Sequence, residues 1–192
     1  MTKIYHIEES LEREHQGFER NNRFYADILK ASAIKRIGYE TAEEKELQRS
    51  DIDLVAIING TQVSISEKDR DVDYNDILIE FYSIYPTVRG WMDNSKAQYL
   101  AYFMPKRVFW INKLKLVDFY NLELRKLPVE SYFNDLIKTN RIRSSATIEI
   151  LGKNEYLNFI AAPNSDYVTM SISISLNLLK RAGVEFREYS LV

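Results

Sequence analysis

Two aspartates and a lysine flank a predicted β-hairpin. Asp51 and Asp53 precede an apolar run over residues 54–58, and Asn59-Gly60 separates it from a second run that ends in Glu67-Lys68. Asn-Gly between two β-type runs is the strongest short-range signal for a tight hairpin. We expect the hairpin to bring the acids and the lysine together, so that carboxylates hold a divalent cation and the lysine contacts a phosphate. The chemistry that this indicates is phosphodiester cleavage.

The alternation of side chains along a strand decides which acids can join this site. Positions i and i+2 share a face, so Ser66 and Lys68 point together while Glu67 points away. Glu80, in a third β run over residues 77–84, is the best additional acid, because a charge within an apolar run needs a partner. We expect that run to pair with the strand of Lys68, and Glu67 remains the alternative second acid.

The elements that must position these residues follow from periodicity and from helix and strand breakers. Helices are predicted over residues 8–33, 96–103 (with Ser95 as N-cap), 114–124, 129–137 and 176–181, and residues 40–49 are an exposed loop or a short helix. Strands are predicted over residues 34–37, 54–58, 62–66, 77–84, 108–112, 146–151, 156–162, 167–174 and 184–189. This order predicts an α/β fold with a mixed sheet. Residues 1–140 are expected to form the main domain, and residues 141–192 an α+β extension or a small accessory subdomain.

The amino-acid composition excludes some kinds of site and shows an uneven distribution of charge along the chain. The chain has 192 residues and no cysteine, which excludes disulfides, zinc-thiolate sites and thiol nucleophiles. Residues 1–80 carry 11 basic and 18 acidic residues, whereas residues 101–145 carry 9 basic and 4 acidic residues. An acidic front half and a basic middle fit a metal site beside a phosphate-contacting surface. With no apolar signal region at the N-terminus and no long apolar run, we expect a cytoplasmic protein without a membrane partner.

The order of elements, with acids and a lysine on the hairpin, resembles the PD-(D/E)XK nuclease superfamily. Members of that superfamily place an aspartate at the start of one hairpin strand and an acid-x-lysine triplet on the next, and here Asp53 is followed by Ser66-Glu67-Lys68. The strings at 76–83, 90–91, 95–103 and 108–111 also look like those of phage and bacterial members. The resemblance covers residues 8–125, and it departs from the family at Ser66, which stands where the triplet has an acid.

The resemblance implies a restriction-endonuclease-like αβββαβ core and an Mg²⁺-dependent or Mn²⁺-dependent endo- or exonuclease. Asp53 and Glu80 would hold the metal, with Asp51 as a further ligand and Glu67 as an alternative. Lys68 would orient the attacking water and contact the phosphate. Ser66, Arg89 and Lys96 would contact the substrate. The implied partner is nucleic acid, DNA rather than RNA, and the family allows a homodimer.

Two other classes of function stay open. With Ser66 in place of the acid, the same fold could have lost its metal and serve as a module that binds nucleic acid or protein. The string Ser50-Asp-Ile-Asp-Leu54 also looks like a segment of minimal nucleotidyltransferases. Those enzymes carry a Gly-Ser pair upstream, where this chain has Gly38-Tyr39.

Overall fold

The computed structural model describes residues 17–191. Their contacts divide them into two units that interleave along the chain. One unit contains residues 74–93 and 115–185, and the other contains residues 17–73, 94–114 and 186–191. The chain therefore passes between units after residues 73, 93, 114 and 185, and the predicted boundary at residue 140 lies inside the first of these units.

The fold is mixed α/β, as the sequence predicts. The helices of the described residues are α1 (residues 17–23, continuing through a π-helical segment Phe24–Ile28), α2 (Ala42–Arg49), α3 (Trp91–Asn94), α4 (Lys113–Leu122), α5 (Val129–Thr139) and α6 (Leu176–Arg181). The strands are β1 (Ala33–Arg36), β2 (Leu54–Ile58), β3 (Thr61–Asp69), β4 (Asp76–Ile84), β5 (Val88–Arg89), β6 (Tyr99–Phe103), β7 (Arg107–Asn112), β8 (Arg143–Ile150), β9 (Lys153–Pro163), β10 (Val168–Ser175) and β11 (Phe186–Ser190).

The unit containing residues 17–73 is built on a mixed six-stranded sheet, in the order β1-β2-β3-β6-β7-β11. Strands β2 and β3 form the predicted hairpin, with both Asn59 and Gly60 at positive φ as its tight turn requires. Strand β6 pairs parallel to β3, and the other neighbours pair antiparallel. Phe24 and Tyr25 of α1 pack on one face of this sheet against buried residues of β2, β3, β6 and β7.

The other unit is built on a second, antiparallel sheet in the order β5-β4-β10-β9-β8. Helix α5 contributes Phe133, which is fully buried and makes edge contacts with Phe81 of β4 and Phe159 of β9. Tyr132 stacks on Phe159 with ring centroids 4.2 Å apart. This aromatic layer gives the second sheet its own core.

Two sequence-based expectations about these elements are wrong. Residues 99–103 form strand β6 and not a helix. Residues 100–103 are all buried between β3 and β7, so the apolar residues of the run are continuous and show no strand alternation. The third β run is a strand, but β4 pairs with β5 and β10, whereas β3 pairs with β2 and β6. Most other elements lie close to their predicted positions, and the part of the predicted first helix before residue 17 lies outside the described residues.

Candidate active site

Asp51 owes its position to the way helix α2 ends. The helix begins with a capping box, in which Thr41 and Glu44 satisfy each other's backbone amides. At the other end, the N–H of Asp51 donates to Gln48 O and the N–H of Ile52 donates to Leu47 O, which is the hydrogen-bond pattern of a Schellman motif. Asp51 has a φ of 55° at the position that glycine usually occupies. A side chain in this left-handed conformation costs about 1 kcal/mol, so Asp51 is held there by other contacts.

Those contacts are two lysine ammonium groups, one on each oxygen of the Asp51 carboxylate. Lys68 Nζ lies 2.7 Å from Oδ1, and Lys113 Nζ donates to Oδ2. Asp51 is 9% exposed and Lys113 is 0% exposed. Burial acts to raise the pKa of Asp51, but the two ammonium charges outweigh it, and the pKa lies below its ordinary value. Asp51 is therefore ionised at neutral pH despite its burial.

Lys113 comes to this cluster through the register of the sheet. Leu54, Ile65, Tyr99 and Asn112 form one row across β2, β3, β6 and β7. The start of β2 and the end of β7 therefore lie at the same level, and Lys113 is the first residue after β7. Burial lowers the pKa of Lys113 to about 8, although the charge of Asp51 opposes that shift.

Asp53 lies beside this cluster and is held by backbone hydrogen bonds. Its N–H donates to Ile65 O at 2.9 Å, and its Oδ2 accepts the N–H of Glu67 at 2.6 Å. Burial raises the pKa of Asp53, with smaller contributions from the charges of Asp51 and Glu67, while Lys68 opposes the shift. The environment of Asp53 therefore disfavours its charge, whereas that of Asp51 favours it.

The predicted split between the two faces of β3 is confirmed. The register of β3 with β2 and with β6 is continuous, and the side chain of Glu67 lies on the face opposite Ser66 and Lys68. Tyr25 Oη donates to Glu67 Oε1 at 2.8 Å, and Arg36 Nη1 lies 2.6 Å from Glu67 Oε2. The hydroxyl of Ser66 is buried and has no hydrogen-bond partner among the described residues.

Three further predicted site residues have other partners. Glu80 belongs to β4, where its carboxylate accepts a hydrogen bond from Ser83. The pairing that was expected to bring Glu80 to Asp53 is wrong, and with it the reason for assigning Glu80 to the metal site. Arg89 belongs to β5, where its guanidinium lies 4.5 Å from the ring centroid of Tyr82 and 3.8 Å from Asp93. Lys96 is exposed, and its N–H donates to Ser50 O.

Lys113 is the residue of this site that sequence reasoning missed. In the sequence it is one of the 9 basic residues of the segment 101–145, and no local pattern connects it with Asp51. The signal that could have found it is the alternation of β7, which places Phe109, Ile111 and position 113 on one face. Recognising that this face meets Lys68 also requires the parallel pairing of β3 with β6, which no local pattern carries.

Within residues 17–191, no group of three or more His, Cys, Asp or Glu side chains is placed to hold a metal ion. No helix in the same part of the chain is long and apolar enough to cross a membrane. Comparisons with known protein families, with curated proteins and with solved structures find nothing that matches this chain.

Proposed function

We propose that the chain is a metal-dependent nuclease whose site lies at the start of β2 and the adjoining part of β3. The observation that carries this proposal is the contact between Lys68 and Asp51 beside Asp53. These are the acid and lysine positions that the resemblance to PD-(D/E)XK nucleases assigns to catalysis. Strands that are distant in sequence bring in Lys113 as a second lysine.

The order of elements in the six-stranded sheet supports a restriction-endonuclease-like core. A helical segment, α1, precedes the antiparallel strands β1, β2 and β3, and β6 adds parallel to β3. The core that the resemblance implies has a helix before its fourth strand. Here residues 74–93 occupy that interval and belong to the other unit, where they contribute β4 and β5. The proposed core is therefore interrupted by the second sheet.

The residues of the site fit a hard divalent cation. Mg²⁺ takes oxygen ligands, keeps several waters, and is commonly held by only one or two carboxylates together with substrate phosphates. Asp53 is the carboxylate best suited to it, because within residues 17–191 its Oδ1 accepts no hydrogen bond while Oδ2 accepts one N–H. Asp51 would serve as a ligand only after losing a lysine. When bound, the cation would acidify a water and offset developing negative charge.

The side chains of this chain supply the remaining functions. The side chain of Lys68 is 29% exposed, so its ammonium can leave Asp51 for a phosphate oxygen and orient the attacking water. Asp51 holds that ammonium in place before the substrate arrives. Nucleic acid, DNA rather than RNA, is the proposed substrate, and the exposed Lys96 is available to a neighbouring phosphate.

One observation favours the alternative, a binding module that has lost its catalysis. Each acid of the site already has protein partners: two lysines at Asp51, a backbone N–H at Asp53, and Arg36 and Tyr25 at Glu67. The acid expected at position 66 is a serine. A site that is complete without a metal would bind nucleic acid or protein without cleaving it.

A cleavage assay separates these functions. Wild type and Lys68→Ala are incubated with single-stranded, duplex and branched DNA and with RNA, in Mg²⁺, Mn²⁺ or EDTA. Lys45→Ala, which removes an exposed lysine of α2 in the same unit, is the matched control. Metal-dependent cutting that is lost in Lys68→Ala and kept in Lys45→Ala is the expected result.

The other outcomes of this assay are equally informative. If no substrate is cut and calorimetry detects no Mn²⁺ binding, the nuclease proposal fails and the binding module remains. Transfer of a nucleotide to an acceptor in place of hydrolysis would identify a nucleotidyltransferase.

A further inference from the structure

The ammonium group of Lys113 has no access to solvent. Its residue is 0% exposed, and it donates to one oxygen of Asp51 while Lys68 occupies the other. A buried ammonium is costly unless a charge partner compensates it, so Lys113 and Asp51 stabilise each other as a pair. Lys68 differs from Lys113 because its side chain reaches solvent and can exchange Asp51 for another anion.

Among residues 17–191, the charges that meet at this site balance without any metal. Asp51 and Asp53 contribute two carboxylates, and Lys68 and Lys113 contribute two ammonium groups. The acid of β3, Glu67, is on the other face of the strand and is paired with Arg36. A divalent cation at Oδ2 of Asp51 would have to displace the ammonium group of Lys113, which has no water to enter. Asp53, in contrast, has an oxygen, Oδ1, to which none of the described residues donates a hydrogen bond.

We propose that Lys113 is a built-in cation that takes the place of a second divalent metal, so that the site binds one divalent cation, at Asp53. Phosphodiesterases with two metals use a pair of cations to neutralise the attacking and leaving oxygens. Here the ammonium of Lys113 supplies a fixed positive charge at Asp51, and the bound cation supplies the other. This inference rests on the proposed function in one respect, that the site binds a divalent cation at all.

The test measures binding of Mn²⁺ alone to the full chain, by electron paramagnetic resonance and calorimetry. Wild type is expected to bind one Mn²⁺ at this site. Lys113→Met keeps the length and apolar stem of the side chain but removes its charge, and it is expected to bind a second Mn²⁺ or to bind the first about tenfold tighter or more. Lys45→Met removes the same charge from the surface and is expected to match wild type.

A second variant keeps the test decisive if Lys113→Met does not fold. Asp51→Asn/Lys113→Met removes both members of the buried pair, a replacement that folded proteins often tolerate. Asparagine also tolerates the left-handed backbone of position 51. Because the charge balance is unchanged and Asp51 is not the ligand, this variant is expected to bind one Mn²⁺ within about threefold of the wild-type affinity.

The outcomes separate this inference from the nuclease proposal. Two Mn²⁺ in wild type, unchanged binding in Lys113→Met, or loss of binding in the double variant would overturn the role of Lys113 and leave the nuclease standing. Mn²⁺ binding only after Lys113→Met would support the built-in cation and overturn metal dependence of the wild-type chain. Absence of Mn²⁺ binding in wild type and in both variants would overturn both proposals.

Discussion

Strand β3 buries a carboxylate cluster on each of its faces, and the two clusters use different cations. On one face, Arg36 places its guanidinium on Glu67, with Nη1 at 2.6 Å and Nη2 at 3.4 Å, and Tyr25 adds its hydroxyl. On the other face, two separate ammonium groups contact Asp51. Both carboxylates are largely removed from solvent, with side chains 10% exposed.

The difference between the faces shows where exchange is possible. A guanidinium matches a carboxylate with a planar fork and holds its geometry, whereas an ammonium is a point charge on a flexible stem. The Glu67 cluster connects α1 and β1 to β3 through Tyr25 and Arg36. These contacts hold the Glu67 carboxylate in a fixed position. The Asp51 cluster includes Lys68, whose side chain reaches solvent. Chemistry is therefore expected on the Asp51 face and structural stabilisation on the Glu67 face.

The largest expected contrast is in cleavage. If the proposed function holds, Asp53→Asn should lower the rate about 1000-fold, because a cation bound there would supply several kcal/mol of charge stabilisation. Glu67→Gln should change the rate less than about threefold, since it keeps acceptor and donor groups on the structural face. Initial rates at saturating Mg²⁺ for both variants, each checked for native circular dichroism, measure the contrast. Equal losses in the two variants would mean that the faces are not functionally distinct.

The next contrast is in stability. Arg36→Ala leaves Glu67 buried without its charge partner and should lower the free energy of unfolding by about 3 kcal/mol. Lys68→Ala leaves Lys113 on Asp51 and should cost about 1.5 kcal/mol or less. Urea unfolding of both variants measures these losses of stability. The double variant Arg36→Leu/Glu67→Leu removes both charges and should recover most of the stability that Arg36→Ala loses. A Lys68→Ala cost as large as that of Arg36→Ala would contradict the assignment of the structural role to the Glu67 face.

The hydroxyl of Tyr25 is expected to make a smaller contribution to stability on the Glu67 face. Tyr25 is 0% exposed, and its hydroxyl donates a hydrogen bond to Glu67. The pKa of that hydroxyl is well above its ordinary value, mainly because the group is buried and also because the charge of Glu67 is close. Tyr25→Phe removes the donor but keeps the ring, and should cost about 1 kcal/mol of stability without altering cleavage. The same urea series and rate assay measure both quantities. A lower cleavage rate with an unchanged free energy of unfolding would show that Tyr25 acts in catalysis and not in stability.

The finest test uses the opposite pKa shifts of the two aspartates. Asp51 has a folded pKa below its unfolded pKa, so its stabilisation is present above the unfolded pKa and is lost as pH falls through the folded pKa. Asp53 has a folded pKa above its ordinary 3.8, so it lowers stability increasingly as pH rises from 3.8 through the folded pKa. Relative to wild type, Asp53→Asn should gain stability as pH rises above 3.8, whereas Asp51→Asn should lose stability as pH rises towards 3.8 from below. Urea unfolding from pH 3 to pH 7 gives both curves, and slopes of the same sign would refute the contrast.

Local patterns in the sequence predicted the hairpin and the division of its faces. Asn59-Gly60 specified the turn, and the two-residue period of a strand separated Lys68 from Glu67. Partners that depend on long-range pairing were not predictable in the same way. The parallel pairing of β3 with β6 brings in Lys113, and β4 pairs with β5 and β10 in place of the expected pairing with β3. Residues 99–103 do not look like a strand in the sequence, because burial of both faces over residues 100–103 erases the alternation that identifies one.

The edge strand β11 has a consequence for how the protein is made. Residues 186–190 complete the six-stranded sheet by pairing with β7, but they follow residues 115–185, which all belong to the other unit. During synthesis, most of the five-stranded sheet therefore leaves the ribosome before β11 is available to complete the six-stranded sheet. Until then β7 presents an unpaired edge to other nascent chains. Interrupted synthesis just before residue 186 should consequently yield a chain that aggregates through that edge, even though every residue of the candidate active site has already been translated.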